Sequence, residues 1–378
     1  MAAAVANPDA VLQRASDPAN ALTRRRGRPD DGLTAGSRVS SWKVDSELGR
    51  GGMSSVHAVV HTKFGKRAAI KIAHRSVLGD GGLSAQTFWR EARIVHTVEH
   101  PAVIDVFATG SHDGRPYLVM EKLIGEPLGR RVDHGPPMPR REAIQILLEL
   151  CDVLRTAHAA GLVHRDLKLD NVFLCDTLFA GGRRVKLLDW GVAYVEGEPD
   201  PFRGQIAGTL TYVAPEQIRG DGLTGAADIY SLAVLAYHLL CRRPPFAGSD
   251  LALLNMHLRA EPPPPRFAWP DVPPALDDLL VRMLAKQPGD RPSLDEVEDT
   301  LQAAFAVVDQ PPRLAEGSNP NIRLPAEEPW YLRWLMVREG DVQSDVLGRP
   351  IVVPPFRPAW MAIGLTISAL ATLISALT

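Results

Sequence analysis

The residues of this chain best suited to chemistry lie in two short segments near its middle. The segment 164–171, HRDLKLDN, contains Asp166 and Asn171, and Asp189 follows in the tripeptide DWG. One carboxylate placed to accept a hydroxyl proton, with an amide and a second carboxylate for Mg²⁺, is the set that phosphoryl transfer from a nucleotide requires. Each segment alone is weak evidence, because short motifs recur by chance. Together and in this order they predict a phosphotransferase.

A glycine-rich turn lies upstream, at residues 48–56 (LGRGGMSSV). Gly49 and Gly51 have no side chains, so backbone N–H groups there could approach phosphate oxygens. Alternating apolar residues on both sides of the turn predict two strands that it joins. A glycine-rich hairpin without a ligand is the alternative.

A single lysine, Lys71, interrupts the apolar run at residues 68–72 (AAIKI), which predicts a buried strand. A lysine in such a strand usually extends to solvent, so a phosphate-binding role requires a counter-ion. Glu91 could supply it, because the apolar spacing at 84–98 predicts a helix in which Glu91 lies one turn after Phe88, on or near the inward face. The alternative for Glu91 is a solvated helix residue.

These residues, in this order, resemble those of the bacterial eukaryotic-like serine/threonine protein kinases, over a stretch from Trp42 to Val307. The resemblance implies an α+β fold of two lobes, a small N-terminal lobe mainly of strands and a large C-terminal lobe mainly of helices. It implies an enzyme that uses ATP and Mg²⁺ to phosphorylate serine or threonine hydroxyls of proteins. The residues that it implies for ATP binding are Leu48, Gly49, Arg50, Gly51, Gly52, Met53, Ser54, Ser55, Val56, Ala69, Lys71, Glu91, Met120, Glu121 and Leu123.

The resemblance also implies individual roles around the nucleotide. Lys71 would contact the α- and β-phosphates and pair with Glu91. Met120 would lie beside adenine as the gatekeeper, and the backbones of Glu121 and Leu123 would bond the edge of the base.

For the reaction itself, the resemblance implies that Asp166 orients and deprotonates the acceptor hydroxyl. Asn171 and Asp189 would hold Mg²⁺, and Lys168 matches the serine/threonine branch of the family. His164 is expected to be a structural residue of the catalytic loop rather than a base.

Three residues of the C-terminal half match the family's structural positions. Glu216, in Ala214-Pro215-Glu216, is expected to form a buried ion pair with Arg291, and Asp228 is expected to support the backbone of the catalytic loop.

Four positions depart from the usual pattern, and none removes a catalytic group. Ser54 replaces the third glycine of the turn, Leu169 a proline, Trp190 a phenylalanine and Ala233 a helix glycine. The larger ring of Trp190 could bias the segment that follows it between active and inactive positions.

The segment after DWG is unusual for a kinase with Arg165 beside Asp166, because that arginine usually signals ordering by a phosphorylated serine or threonine. No serine or threonine occurs between Asp189 and Gly208. One hypothesis is that an acidic residue supplies the charge, and another is that Thr211 is the regulatory site, whereas Thr209 is expected near Asp166. A solvated loop is the alternative. The acidic candidates are Glu196, Glu198 and Asp200.

Composition excludes several classes of protein. The 378 residues are 45% hydrophobic, enough for a full core and additional flanks, and the formal charge of −2 argues against a nucleic-acid binder that works by bulk electrostatics. The three cysteines have neither disulfide nor zinc spacing, which favours a reducing, cytoplasmic setting for the main domain.

The flanks differ in composition from the expected kinase domain at 42–307. Residues 1–40 lack sustained periodicity and are expected to be a disordered tail. Residues 308–358 are rich in proline and charge and are expected to be a juxtamembrane linker. Their aromatic cluster at 330–335 could dock on the kinase, lie at a membrane surface or be a short packing segment.

The last twenty residues, 359–378, contain no charge. A helix of this length spans about 30 Å, the thickness of a bilayer core. Arg357 precedes the segment and Trp360 lies at its edge, as expected for a cytoplasmic flank and an interfacial anchor. The sequence therefore predicts a single transmembrane helix in contact with membrane lipid, with the kinase domain in the cytoplasm. A hydrophobic helix packed on the kinase is the alternative.

Two other functions remain open on the sequence. A catalytically silent scaffold with this fold usually lacks a metal-binding or base residue, and none is missing here. A small-molecule phosphotransferase is disfavoured by Ala214-Pro215-Glu216 and the long segment before it.

Overall fold

The computed structural model describes residues 33–78, 85–179, 182–200, 202 and 209–308. They form a smaller N-terminal lobe of strands with one long helix, and a larger C-terminal lobe of helices. The two-lobe α+β architecture expected from the sequence is confirmed.

The N-terminal lobe is built on a six-stranded antiparallel sheet with strand order β1-β2-β3-β4-β6-β5. Its strands are β1 (Arg38–Val39), β2 (Trp42–Arg50), β3 (Ser54–His61), β4 (Arg67–Ala73), β5 (Val106–His112) and β6 (Arg115–Met120). Helix α1 (Ala85–Thr97) contributes Phe88, Ala92 and Val95 to the main core, the residues whose spacing predicted its inward face.

The folded lobe begins before Trp42. Strand β1 pairs with β2 through Arg38 opposite Lys43 and Val39 opposite Trp42, and Val39 is fully buried. Arg38 and Val39, assigned from sequence to the disordered tail, therefore belong to the sheet, because two paired residues suffice to add an edge strand. Residues 1–32 lie outside the described part of the chain.

The C-terminal lobe packs around two long buried helices, α3 and α5. Its helices are α2 (Leu128–His134), α3 (Arg140–Ala159), α4 (Pro215–Arg219), α5 (Ala226–Cys241), α6 (Asp250–Arg259), α7 (Pro274–Met283) and α8 (Leu294–Val307). Gly161 follows α3 with a φ of +70°, a conformation that suits glycine at the end of a helix. The Ser293 side chain caps the start of α8, since it accepts a hydrogen bond from the Glu296 N–H at 3.2 Å.

Two small sheets in this lobe position the chemistry-bearing loops. Strands β7 (Gly125–Pro127), β9 (Val172–Phe179) and β10 (Arg183–Leu187) form one, in the order β10-β9-β7. Strands β8 (Leu162–Val163) and β11 (Tyr194–Val195) form the other. The loop with Asp166 runs from β8 to β9, and Asp189 follows β10, so these pairings bring both carboxylates to one end of the lobe.

Within the described ranges, no helix is both long and apolar enough to cross a membrane. The expected linker from residue 309 onward and the expected transmembrane segment at 359–378 lie outside those ranges.

Candidate active site

Sheet register places four of the nucleotide-binding candidates, Val56, Ala69, Lys71 and Met120, on one face of the N-terminal sheet together with Leu118. Val56 of β3 and Leu118 of β6 both lie opposite Lys71, and Ala69 lies opposite Met120. Because side chains alternate along a strand and directly paired residues share a face, all five side chains are on the same side of the sheet.

The glycine-rich turn is the tip of the β2–β3 hairpin. Gly49 pairs with Val56, and the Gly51 N–H donates to the Ser54 carbonyl at 2.9 Å. A Cβ added at Gly49 or Gly52 would meet no described heavy atom within 4 Å, and at Gly51 the nearest is 3.7 Å away. Packing inside the described fold therefore does not require glycine at these positions.

Lys71 joins three separate parts of the chain. Its Nζ donates to both carboxylate oxygens of Glu91, at 3.1 and 2.8 Å, and to Oδ1 of Asp189 at 2.9 Å. The expected Lys71–Glu91 ion pair is thus present, on a lysine side chain that is 14% exposed. Burial alone would lower the pKa of Lys71, but the carboxylates of Asp189 and Glu91 outweigh it and raise this pKa above its ordinary value. The same lysine holds the pKa of Asp189 below its usual range.

Glu121 and Leu123, whose backbones were expected to bond the edge of adenine, lie in the segment that follows β6. The Glu121 N–H donates to the Asp105 carbonyl at 2.9 Å. The Glu121 carboxylate accepts from the Asp105 N–H at 2.9 Å and from Lys186. With its N–H and side chain engaged, Glu121 has its carbonyl to offer a ligand, and Leu123 packs against the main core two residues later.

Asp166 is held by contacts from three directions. The Asn171 amide nitrogen donates to its carbonyl at 2.8 Å and to Oδ2 at 3.0 Å. Lys168 Nζ donates to Oδ2 at 2.7 Å, and the Thr209 N–H to Oδ1 at 3.0 Å. Lys168 also donates to the Thr209 hydroxyl at 2.9 Å, so the expected position of Thr209 is confirmed. These bonds fix the orientation of the carboxylate.

Asp228 of α5 holds the backbone of the catalytic loop, as expected. Its fully buried carboxylate accepts the N–H groups of His164 and Arg165 at 2.8 and 2.9 Å, and His158 Nε2 lies 2.9 Å from Oδ2. Burial would raise the pKa of Asp228, but the hydrogen bond and charge of His158 and the contacts from His164 bring it below its ordinary value. Arg165 has a φ of +69°, a conformation that these two bonds help to hold. No sequence signal marked His158, since its partner is distant along the chain.

The expected ion pair between Glu216 and Arg291 is confirmed. Nη1 and Nη2 of Arg291 donate to the two carboxylate oxygens at 2.6 and 2.8 Å, and the two side chains are 2% and 0% exposed. The pair fastens the loop before α8 to the end of the segment that follows Asp189.

Trp190, beside Asp189, is fully buried and meets the His164 ring edge-on at a centroid distance of 4.6 Å. His164 Nε2 lies 3.2 Å from the Leu188 carbonyl. His164 therefore packs and hydrogen-bonds inside the lobe, in agreement with a structural role, and Trp190 takes an inward position.

The structure thus brings the sequence-predicted catalytic residues together in two bonded groups. Lys71, Glu91 and Asp189 form one group, and Asp166, Lys168 and Asn171 form the other, with the glycine-rich turn and the segment after β6 on the N-terminal lobe. The sequence analysis missed two basic partners of the segment after Asp189, the helix α1 residues Arg90 and Arg93, because an arginine in a helix has no sequence pattern that marks a distant partner.

Comparisons with known proteins agree with this arrangement. The family model described as protein kinase domain matches residues 42–304. Serine/threonine-protein kinase Pkn1 of Myxococcus xanthus is 40% identical over 275 residues, which cover 72% of this chain and 39% of Pkn1. Serine/threonine-protein kinase PknA of Mycobacterium tuberculosis is 33% identical over 312 residues, which cover 80% of this chain and 69% of PknA.

Among solved structures, the kinase domain of Mycobacterium tuberculosis PknI superposes with a TM-score of 0.56 and 28% identity. The match covers 72% of this chain and 100% of that domain. The chain therefore spans the whole of a solved kinase domain but well under half the length of Pkn1.

Proposed function

The chain belongs to the protein kinase family, among the bacterial eukaryotic-like serine/threonine kinases, and from this we propose that it transfers the γ-phosphate of ATP to serine and threonine hydroxyls of proteins. The observation that carries the proposal is the joining of Lys71 to both Glu91 and Asp189, within 3.1 Å. The fold does not require a buried lysine between two carboxylates from different lobes. A charge fixed in this way suits the binding of phosphate, which supports a functional role for Lys71.

On this proposal, ATP lies between the glycine-rich turn and the segment after β6. The carbonyl of Glu121 and the backbone N–H of Leu123 bind the adenine edge beside Met120. Backbone groups at Gly49 to Val56 cover the phosphates, and Lys71 contacts them as a fixed positive charge.

The metal-binding role proposed for Asn171 and Asp189 fits their donor atoms. The Asn171 amide nitrogen is used by Asp166, so its oxygen is the atom left to coordinate, and the Asp189 side chain is 47% exposed. Carboxylate and amide oxygens are hard donors that suit Mg²⁺, which also binds through substrate phosphates. When bound, Mg²⁺ supplies charge neutralisation of the phosphates.

Asp166 is proposed to accept the proton of the acceptor hydroxyl. Its carboxylate is oriented by Asn171, Lys168 and the Thr209 N–H, so little reorganisation is needed when a hydroxyl arrives. Lys168 is proposed to stabilise the transferring phosphoryl group, and its bonds to Asp166 and Thr209 support that role.

Incubation of the purified full chain with ATP labelled on its γ-phosphate, Mg²⁺ and generic protein acceptors tests this function. We expect label on phosphoserine and phosphothreonine after acid hydrolysis. Label only on small-molecule acceptors would favour a small-molecule phosphotransferase, and ATP binding without transfer would favour a silent scaffold.

We also propose that residues 359–378 anchor the protein in a membrane, with residues 308–358 as the linker and the kinase domain in the cytoplasm. Support comes from the twenty uncharged residues and from Arg357 and Trp360 at their edge. The full chain should sediment with membranes in the absence of detergent. The double variant Leu365→Arg and Leu370→Arg should not, because each arginine near the centre of a span costs about 2.5–3.5 kcal/mol of insertion. Equal sedimentation of both proteins would contradict the anchor.

A further inference from the structure

An ion pair ties the catalytic loop to the segment that follows Asp189. Nη1 of Arg165 donates to Oδ1 of Asp200 at 2.8 Å, with the arginine side chain 4% and the aspartate side chain 15% exposed. Arg165 directly precedes Asp166, and its backbone N–H is bound by Asp228 while its carbonyl accepts from Gln217. The guanidinium is therefore a nearly buried charge on a loop whose backbone is already fixed.

Asp200 is held by its own segment as well. The same Oδ1 accepts the Phe202 N–H at 2.9 Å, and the Phe202 ring lies 5.9 Å from the Arg165 guanidinium. The carboxylate thus connects the local turn of the segment with the catalytic loop, and it meets the arginine in an environment where water screens the attraction only weakly.

A second set of contacts ties the segment to the helix that carries Glu91. Glu198 lies 3.5 Å from Arg93 and 3.9 Å from Arg90, and Arg90 also donates to the Ala193 carbonyl at 2.7 Å. The segment is therefore fastened at one end to the catalytic loop and at the other to α1, where Glu91 pairs with Lys71.

These contacts distinguish the acidic residues of the segment from one another. Asp200 reaches Arg165, and Glu198 reaches α1. Glu196 forms a backbone bond to Gly161 but no ion pair within the described residues. The stretch between Asp189 and Gly208 contains no serine or threonine that could bring a phosphate to Arg165. Thr209, the next hydroxyl, is already engaged by Lys168.

We infer that Asp200 is a positioning residue of this kinase. Its fixed carboxylate orders the segment after Asp189 by pairing with Arg165, so that activity does not depend on phosphorylation of that segment. The inference rests on the proposed kinase function. Asp200 is not among the residues proposed to contact ATP, Mg²⁺ or the acceptor hydroxyl; it acts by holding Arg165 and the segment in position beside Asp166 and Thr209. Glu198 adds to the same ordering from the side of α1.

The first test uses the full chain freed of phosphate by a phosphatase, with intact mass showing none left. We expect phosphorylation of a protein acceptor to be linear from the first time point. A lag that ends only as phosphate accumulates on Thr211 would overturn the inference.

The second test compares Asp200→Asn, Asp200→Glu and the matched control Glu196→Gln. We expect kcat/KM for the protein acceptor to fall about tenfold or more in Asp200→Asn. Asp200→Glu should recover much of this loss, and Glu196→Gln should equal the parent. Amide hydrogen exchange at residues 192–200 should accelerate in Asp200→Asn alone, because the tie to Arg165 is lost.

The possible results separate this inference from the proposed function. A parent protein that transfers no phosphate to any acceptor would reject the kinase proposal. An active parent whose Asp200→Asn variant matches Glu196→Gln in rate and exchange would reject the role of Asp200 alone.

Discussion

The buried pair of Glu216 and Arg291 gives the sharpest prediction about stability. In Arg291→Ala the Glu216 carboxylate, 2% exposed, would lose both of its bonds to the guanidinium. The carbonyls of Ala226 and Ala285, at 2.7 and 3.0 Å from the arginine, would lose a donor as well. Removal of one partner of a buried pair costs about 3–5 kcal/mol, because an uncompensated charge remains inside.

The expected loss is large enough to measure as a change in melting temperature. In domains of about 150–250 residues each kcal/mol corresponds to about 2–4 °C, so on that scale Arg291→Ala should lower Tm by roughly 6–20 °C. Arg291→Lys keeps the charge but not the two parallel bonds, and should lie between the variant and the parent.

A surface arginine provides the matched control. Arg155 contacts Asp295 and Glu298 of α8, but its side chain is 40% exposed. Exposed pairs contribute about 0–1 kcal/mol, so Arg155→Ala should change Tm by at most a few degrees. Differential scanning fluorimetry of the three variants and the parent, at one pH and salt concentration, would decide. Equal melting of Arg291→Ala and Arg155→Ala would refute the reasoning from burial.

Two further predictions concern the nucleotide site and the pH dependence of stability. Glu91→Gln should lower kcat about tenfold or more with little change in Tm, because Lys71 loses one of its two carboxylate partners. The control Glu99→Gln, at an exposed position, should match the parent in steady-state assays. Equal rates for the two variants would contradict this prediction. His257 is fully buried, and burial, then the charge of Lys286, lowers its pKa from 6.5 to about 4. As pH falls, His257 therefore takes up a proton in the unfolded chain before it does so in the folded protein. The stability that depends on neutral His257 is complete above about pH 6.5 and falls by about 3 kcal/mol as pH approaches 4. Between pH 6.5 and 4, the free energy of unfolding of His257→Gln should depend less on pH than that of the parent. The same pH dependence in both proteins would contradict this prediction.

The sequence predicted the catalytic residues and some elements of the fold, and it left other features undetermined. The motifs around Asp166 and Asp189 require specific residue types at fixed spacing, so they identified the catalytic loop and its partners. Helix α1 was found from its apolar spacing, because Phe88, Ala92 and Val95 do form the inward face.

Other features depend on contacts between distant residues and carry no local signal. Strand β1 has only two residues, so its pairing with β2 leaves no alternation to read. The three acids of the segment after Asp189 are equivalent in sequence, and only the folded arrangement separates Asp200, at 2.8 Å from Arg165, from Glu196.

The direction in which Trp190 would act was also open from sequence. A larger ring can pack inside the core or push neighbouring residues apart, and which of these happens depends on the space beside His164. In the structure the indole is fully buried against that histidine, so the core accommodates the larger ring.

The most direct measurement of the central claim is the turnover of Asp166→Asn beside its affinity for ATP. Asparagine has a similar shape but cannot accept the hydroxyl proton, and Asp166 is not among the residues proposed to hold the nucleotide. We predict that transfer of the γ-phosphate to protein serine and threonine is abolished while ATP still binds with nearly the parent affinity. Near-parent transfer by Asp166→Asn would contradict the account.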